Sequence, residues 1–256
     1  MYNKLFNIGS MTIYSYGICV GVGIFVGFLA QYLIMKKYKQ EYKRAVDMVL
    51  LAVTFGFIGA KLNFYIVNID NIRADISLLN PFHEGLVIYG GVIFGMITVL
   101  LYCKINKLNI GEYMDTSIIS VAVAQAIGRI GCFMSGCCYG IEYDGPFSIT
   151  FKNSQFAPNN VSLLPTQLIF AFADFINFCI LLIYKKKNKI AGRTISLYMI
   201  NYGLGRFWLE YIRGDSVRGT ILGMSTAQFT SIFMCITGCI LYGIITTQYN
   251  KKITSK

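Results

Sequence analysis

Residues 13–35 read IYSYGICVGVGIFVGFLAQYLIM, an apolar stretch that carries no charged side chain. A helix of about 20 residues crosses the hydrocarbon core of a bilayer, which is about 30 Å thick. The stretch Ile13–Met35 is therefore long enough to span a membrane. Six further stretches also predict membrane helices, at Ala45–Val67, Val87–Lys104, Met114–Gly131, Thr166–Tyr184, Thr194–Tyr211 and Ala227–Thr246.

The composition agrees with a membrane protein. Apolar residues make up 55% of the chain, charged residues 14%, and the mean hydropathy is +0.56. Soluble domains have about a quarter of their residues charged, so most of this surface must face lipid rather than water. We predict an all-α, polytopic membrane protein with one domain over residues 1–256. The segments Asn68–Leu86 and Tyr139–Pro165 are expected to form small outward-facing caps.

The placement of the basic residues predicts an orientation. The net charge is +11, but fifteen of the 23 Lys and Arg fall in four clusters that occupy alternate loops. The clusters are Lys36–Arg44, Lys104 with Lys107, Lys185–Arg193 and Lys251–Lys256. Basic loops mark the cytoplasmic side of a membrane, so seven crossings place the N-terminus outside and the C-terminus in the cytoplasm. No nucleic-acid-binding motif accompanies the charge, and nucleic acid is excluded as a partner.

Three of the eight cysteines, Cys132, Cys137 and Cys138, lie in the segment Gly128–Gly140, which contains four glycines. Such a segment predicts broken helix and tight turns, which membrane proteins tolerate only around a protein-lined cavity. A metal site, a reactive thiol and inert packing are the three interpretations, and inert packing is favoured. A zinc site would need a fourth ligand, and the sole histidine, His83, has no partner motif, so no metal is predicted.

Charged side chains inside the spans are candidate functional residues, because an arginine at the centre of a membrane helix costs about 2.5–3.5 kcal/mol. Arg129 closes the fourth span. Tyr202, Arg206, Glu210 and Arg213 follow one another at steps that place all four on one face of the sixth span. Glu210 can pair with either neighbouring arginine and orient both, which leaves two net positive charges in the group.

Two interpretations of these charges stay open. The group is either an ion-pair network that sets helix packing or a binding site for a phosphate, such as a phospholipid headgroup. The planar donor fork of arginine suits phosphate, and the excess positive charge favours that interpretation. Lys61, in the second span, is either a further cation or snorkels to the surface. Tyr89, followed by Gly90 and Gly91, is either a group that substrate approaches closely or an interfacial tyrosine.

At these residues the chain resembles the prolipoprotein diacylglyceryl transferases of bacterial membranes, over nearly its whole length. Four motifs occur in the family's order: Tyr16-Gly17, Gly128-Arg129-Ile-Gly131-x-Phe133-x-x-Gly136-x-x-x-Gly140, Pro165-Thr166-Gln167-Leu168, and Tyr202-Gly-x-x-Arg206-Phe-x-x-Glu210-Tyr-x-Arg213, followed by Gln228. The second and fourth motifs are the specific ones.

The resemblance implies a transferase that moves the diacylglyceryl group of phosphatidylglycerol to the lipobox cysteine thiol of a preprolipoprotein and releases glycerol phosphate. It implies the bacterial plasma membrane, an outward active face, contact with bilayer lipid, and no cofactor. The catalytic residues would be Arg129, Arg206, Tyr89, Tyr16 and Cys137. The substrate-binding residues would be Arg129, Arg206, Glu210, Arg213, Tyr202, Cys132, Lys61, Gly90 and Gly91.

The chain departs from the family's pattern at residues that are expected to bind or activate the acceptor. Tyr89 stands where the resemblance implies His, Cys132 where it implies Asn, and Cys137 where it implies Glu. Lys61 replaces an Arg, and Phe170 follows Ile169 where a Tyr-Glu pair is implied. Two alternatives therefore stay open: the same lipid donor with a non-lipoprotein acceptor, and a phospholipid-binding membrane protein without catalysis.

Overall fold

The computed structural model of the chain describes residues 4–8, 11–80, 85, 87–215, 220–221 and 223–255. The helices of this part are α1 (Ser15–Lys37), α2 (Tyr42–Val67), α3 (Ile69–Ala74), α4 (Ile88–Ile105), α5 (Ile110–Ser135), α6 (Thr166–Lys187), α7 (Arg193–Leu209) and α8 (Thr226–Thr254). Short antiparallel pairs join β1 (Lys4–Ile8) to β2 (Met11–Tyr14), β3 (Ile149–Thr150) to β4 (Ser162–Leu163), and β5 (Thr220–Ile221) to β6 (Met224–Ser225). The predicted all-α class is confirmed.

Each of the seven predicted stretches contains a helix. Of the helices among the described residues, five (α1, α2, α5, α6 and α8) are long and apolar enough to cross a membrane. A shorter apolar helix covers Tyr89–Ile105. Large apolar side chains such as Phe25, Phe172 and Phe233 are 66–69% exposed on these helices, as expected for surfaces that face lipid. The chain is a multi-pass membrane protein, while seven crossings and their orientation remain predictions.

The helix ends differ from the predicted ones. The fourth span is predicted to end at Gly131, but α5 runs from Ile110 to Ser135. The sixth is predicted to reach Tyr211, but α7 ends at Leu209 and a 3-10 turn covers Glu210–Ile212. The apolar pattern indicates which residues face lipid. The backbone hydrogen bonds of a helix can continue past those residues, up to a residue whose backbone conformation ends the helix.

The chain divides into two compact units, one of Met1–Gln31 with Asp115–Lys256 and one of Tyr32–Met114. In the second unit, α2 and α4 pack through glycine, because a side chain at Gly90 would overlap the carbonyl oxygen of Gly59. Its core is a cluster of buried residues: Met35, Ala45, Met48, Cys103 and Tyr113. The single domain over residues 1–256 remains a prediction.

A buried ion pair organises one end of the first unit. Lys185, near the end of α6, donates to the fully buried carboxylate of Asp115 in α5 at 2.9 Å. The same carboxylate accepts backbone N–H bonds from Gly192 and Ile195 at the start of α7. Asp115 therefore joins three helices and satisfies N–H groups that would otherwise lack partners at a helix start. Phe170 and Arg206 lie towards the other end of α6 and α7.

The segment between α5 and α6 is folded back on itself. Phe151, Ala157 and Leu163 form its buried apolar cluster, and β3 pairs with β4 within it. Its beginning pairs with the segment after α7, since Gly140 and Arg213 form an antiparallel bridge. A side chain at Gly214 would overlap the carbonyl of Gly140 across this contact, and one at Gly140 would overlap the carbonyl of Leu164, which explains why both positions are glycine. The pairing holds Arg213 beside the glycine-rich segment.

Candidate active site

Three guanidinium groups of the first unit surround the ring of Phe170. The guanidinium carbon of Arg129, from α5, lies 4.6 Å from the ring centre. Those of Arg206 and Arg213 lie at 5.0 Å and 5.9 Å. Phe170 comes from the first turns of α6 and is 3% exposed. Three predicted site residues are thus brought together around a side chain that the sequence interpretation did not include.

Glu210 holds two of the arginines. Its carboxylate lies 2.9 Å from Arg206 and 3.7 Å from Arg213, as predicted. Ser225, the residue that caps the start of α8, also donates to this carboxylate at 3.1 Å. The prediction that these residues share one helical face is wrong for Glu210 and Arg213, because α7 ends before them.

The charge balance requires a correction to the predicted excess of two positive charges. Asp174, in α6, lies 3.9 Å from Arg129. Asp215 forms two hydrogen bonds with Arg213. With Glu210, three acids face three arginines, and the group is formally neutral. Burial is the largest single influence and disfavours the charged form of Arg213, but the hydrogen bond to Asp215 and the nearby acidic groups together raise the pKa of Arg213.

Although the group is formally neutral, some of its buried hydrogen-bonding atoms have no partner among the described residues. Within the described residues, the Nη1 atoms of Arg206 and Arg213 are buried and have no acceptor. A buried donor without a partner costs about 1–3 kcal/mol, and more when it is charged. Two buried carboxylate oxygens of the same group, Oδ2 of Asp174 and Oε2 of Glu210, are also unmatched. Charged N–H donors of this kind can bind an anion with several acceptor oxygens.

Tyr202 lies beside this group on α7. Its ring stacks on that of Tyr198, with centroids 5.5 Å apart, and the Tyr198 hydroxyl donates to Gln125 at 2.7 Å. A cavity of about 30 Å³ adjoins it, lined by Phe170, Ala173, Asp174, Asn177, Asn201, Tyr202, Gly205, Arg206 and Leu209. This volume suits water rather than a lipid headgroup.

The glycine-rich segment brings its three cysteines together. After α5 ends, Gly136 (φ +75°) and Cys138 (φ +57°) turn the chain back. The sulfur atoms of Cys132, Cys137 and Cys138 lie within 4.8 Å of one another. The N-terminus of α6 fixes this turn, because Gln167 donates to the carbonyl of Cys137 at 2.8 Å and Thr166 to that of Cys138 at 3.0 Å.

Cys137 and Tyr16 belong to this neighbourhood. The contact with Cys132 favours the Cys137 thiolate, but the contact with Cys138 and burial raise the pKa of the Cys137 thiol. Cys137 is therefore a protonated thiol at neutral pH, which argues against a free thiolate nucleophile. Tyr16, at the start of α1, packs against Gly131 and interacts electrostatically with Arg129 and the three cysteines.

The remaining predicted site residues belong to the second unit. The Nζ of Lys61 lies 5.0 Å and 5.3 Å from the rings of Phe64 and Tyr65. Tyr89 is half exposed at the start of α4. Gly90 and Gly91 pack against α2, so their lack of side chains has a structural reason whether or not substrate also approaches them. His83 lies outside the described residues.

Phe170, Asp174 and Asp215 are the site residues that sequence reasoning missed. Asp174 had a signal, since a carboxylate within an apolar span is a functional candidate by the same rule that identified Arg129. Asp215 follows Arg213 by two residues and lies beyond the predicted end of the sixth span at Tyr211. Phe170 is one of 19 phenylalanines, and only the departure from the family's Tyr-Glu pair marked its position.

Comparisons with known proteins agree on one family. Residues 3–244 match the model of the prolipoprotein diacylglyceryl transferases. The phosphatidylglycerol–prolipoprotein diacylglyceryl transferase of Clostridium tetani is 39% identical over 240 residues, covering 94% of this chain and 96% of that protein. The second such transferase of Clostridium perfringens is 38% identical, covering 96% of each chain. That of Staphylococcus haemolyticus is 33% identical, covering 92% of this chain and 85% of its own.

Proposed function

The chain belongs to the prolipoprotein diacylglyceryl transferase family, and on that premise we propose how its residues carry out the family's reaction. The protein is a membrane transferase of lipoprotein biosynthesis that moves a diacylglyceryl group from phosphatidylglycerol to a prolipoprotein. The acceptor atom in our proposal is the sulfur of the lipobox cysteine. Its attack on the glycerol carbon forms a C–S bond and breaks the C–O bond to the phosphate, so glycerol phosphate leaves.

The buried, unpaired Nη1 donors of Arg206 and Arg213 are the observation that carries this assignment. In the proposed complex they donate to the phosphate oxygens of phosphatidylglycerol, together with Arg129. Negative charge grows on the phosphate as the C–O bond breaks. Donors that are already fixed in place stabilise such developing charge without reorganising, which lowers the barrier.

In our proposal, the carboxylates of Glu210 and Asp174 and the ring of Phe170 orient the three arginines. Glu210 holds Arg206 and Arg213 at 2.9 Å and 3.7 Å, and Asp174 lies 3.9 Å from Arg129. The Phe170 ring contacts all three arginines, with their guanidinium carbons 4.6, 5.0 and 5.9 Å from its centre. Positioning of this kind fixes the phosphate relative to the incoming thiol.

The other predicted residues keep supporting roles in the proposal. Tyr16 lies beside the cysteines and would approach the reacting thiol, and Tyr202 and Cys132 would contact the donor lipid. Roles for Tyr89, Lys61, Gly90 and Gly91 rest on the family resemblance alone. Cys137 keeps the catalytic role that the resemblance implies, close to Cys132 and Cys138.

We place the reaction in the outward half of the bacterial plasma membrane. The basic cluster Lys185–Arg193 lies where α6 ends and α7 begins, which the positive-inside rule assigns to the cytoplasm. Phe170 and Arg206 lie towards the opposite ends of these two helices. The arginine group is therefore outward if both helices cross the bilayer.

The direct test uses purified protein, phosphatidylglycerol and a synthetic lipobox peptide. We expect a thioether product detected by mass spectrometry, and none with a peptide in which the cysteine is serine. Arg206→Gln should reduce the rate by about 100-fold, the cost of removing one donor from a charge-stabilising site. Arg73→Gln changes an exposed arginine and serves as the control. Folded wild-type protein that forms no thioether would overturn the proposal.

A further inference from the structure

We propose that Cys132, Cys137 and Cys138 form a three-thiolate zinc site whose open fourth position binds and deprotonates the acceptor thiol. This inference rests on the proposed function, because it names the group that prepares the prolipoprotein cysteine. The three sulfur atoms lie within 4.8 Å of one another at the end of α5. They are partly buried, and none of the three forms a disulfide.

The spacing of the sulfur atoms suits one thiophilic ion. Zinc–sulfur bonds are about 2.3 Å long, so three thiolates on one ion have their sulfur atoms about 4 Å apart. The observed cluster needs only a small contraction to reach that geometry.

The backbone holds the three cysteines in place before any ion binds. Cys138 adopts a left-handed conformation, which is uncommon for a residue with a side chain. Hydrogen bonds from Gln167 and Thr166 to the carbonyls of Cys137 and Cys138 hold it there. Residues kept in such conformations by their surroundings concentrate at functional sites.

The charges around the cluster favour a thiolate-bound ion. Three thiolates and one Zn²⁺ carry a formal charge of −1. Arg129 interacts electrostatically with Cys132 and Cys138, and Arg213 with Cys138. Ser135 donates a hydrogen bond to the sulfur of Cys137 at 3.3 Å, as outer partners of metal ligands commonly do.

A catalytic zinc site has three protein ligands and one open position, so it does not need a fourth ligand from the protein. Sequence reasoning set zinc aside for want of that ligand, but catalytic zinc keeps one position open for substrate. A thiol that binds zinc loses its proton outright. Among the described residues, the three cysteines are the group whose ligand atoms lie close enough to share an ion. The chain also has Tyr89, rather than His, where the resemblance implies the base.

The proposed step balances without a further reactant. The acceptor thiol binds zinc and releases its proton to solvent. The zinc-bound sulfur then attacks the glycerol carbon, and the electron pair of the broken C–O bond goes to the phosphate oxygen. The product thioether is neutral and a weak ligand, so it leaves the metal and the fourth position opens again.

Cobalt binding tests the site without relying on activity. Metal-free, full-length protein titrated with Co²⁺ should show thiolate-to-cobalt charge-transfer absorption that saturates at one ion per chain. The variant with Cys132, Cys137 and Cys138 all changed to serine should lose it, and Cys239→Ser, in the exposed part of α8, should keep it. Adding lipobox peptide should shift the spectrum, whereas the Cys→Ser peptide should not.

Chelation of the wild-type protein tests the role in catalysis and needs no variant. Removing metal should lower the transfer rate by at least about 100-fold, and one equivalent of Zn²⁺ should restore it. Full transfer by metal-free protein, or cobalt absorption that the triple variant retains, would overturn the inference and leave the proposed function standing. A cysteine-dependent cobalt spectrum without any transfer by zinc-loaded protein would instead contradict the proposed function.

Discussion

The guanidinium carbon of Arg129 lies 4.6 Å from the centre of the Phe170 ring, which Arg206 and Arg213 share. Changing Phe170 to Leu removes the common aromatic face while leaving an apolar side chain. A desolvated cation–π contact contributes about 2 kcal/mol, so we expect the transfer rate to fall by about tenfold or more. Phe172→Leu, on an exposed face of the same helix, is the matched control. Equal rates for both variants would contradict a positioning role for the ring.

Glu210 is predicted to be needed for both activity and stability. Glu210→Gln removes the charge that faces Arg206 and Arg213, and breaking a buried pair costs about 3–5 kcal/mol. We expect a lower melting temperature and a transfer rate reduced by about tenfold or more. Glu142→Gln, on the exposed segment after α5, should change neither. Wild-type behaviour of the Glu210 variant would mean that the arginines hold their positions without it.

The helices could be predicted from the sequence because lipid imposes a strong compositional constraint. Each apolar stretch contains a helix, and the basic loops gave a specific topology to test. Helix ends could not be read in the same way, since α5 continues past Arg129 to Ser135 and α7 stops before Glu210. These ends depend on local turns such as the left-handed Gly136, which hydropathy does not report.

The candidate site was predicted in part. Arg129, Arg206, Glu210 and Arg213 are gathered as expected, because charges inside an apolar span are too costly to be incidental. The charge balance was wrong because Asp174 and Asp215 join the group from elsewhere in the fold. The closeness of Cys132, Cys137 and Cys138 depends on the turn after α5, and no sequence rule gives that geometry.

Loss of the buried ion pair between Asp115 and Lys185 is predicted to lower the free energy of unfolding strongly. This pair is buried, with side chains 0% and 5% exposed, whereas Asp70 and Arg73 form an exposed pair. Asp115→Ala removes the acceptor of a buried ammonium group and of two backbone N–H groups, so we expect about 3–5 kcal/mol of destabilisation. Asp70→Ala should cost no more than about 1 kcal/mol. Thermal unfolding in detergent distinguishes them, and similar losses for both would be evidence against the buried network.

Gly90 is predicted to be a packing position. A methyl group there would overlap the Gly59 carbonyl, whereas Gly21 in α1 has open space around its Cα. Gly90→Ala should lower the melting temperature by the equivalent of about 1–3 kcal/mol, although alanine is the better helix former. Gly21→Ala should be neutral or stabilising. A Gly90→Ala protein that is as stable as wild type but fails to bind lipid would assign this glycine to the substrate instead.

The central claim is that the arginines around Phe170 bind the phosphate of phosphatidylglycerol while glycerol phosphate leaves. The most direct measurement is the single-turnover release of glycerol phosphate, at saturating lipobox peptide, by wild type, Arg129→Gln, Arg206→Gln and the control Arg73→Gln. We expect release to slow by about 100-fold in the first two variants and to be unchanged in the control, with all four proteins folded. Release at the wild-type rate by folded Arg129 and Arg206 variants would contradict the claim and assign the network to helix packing.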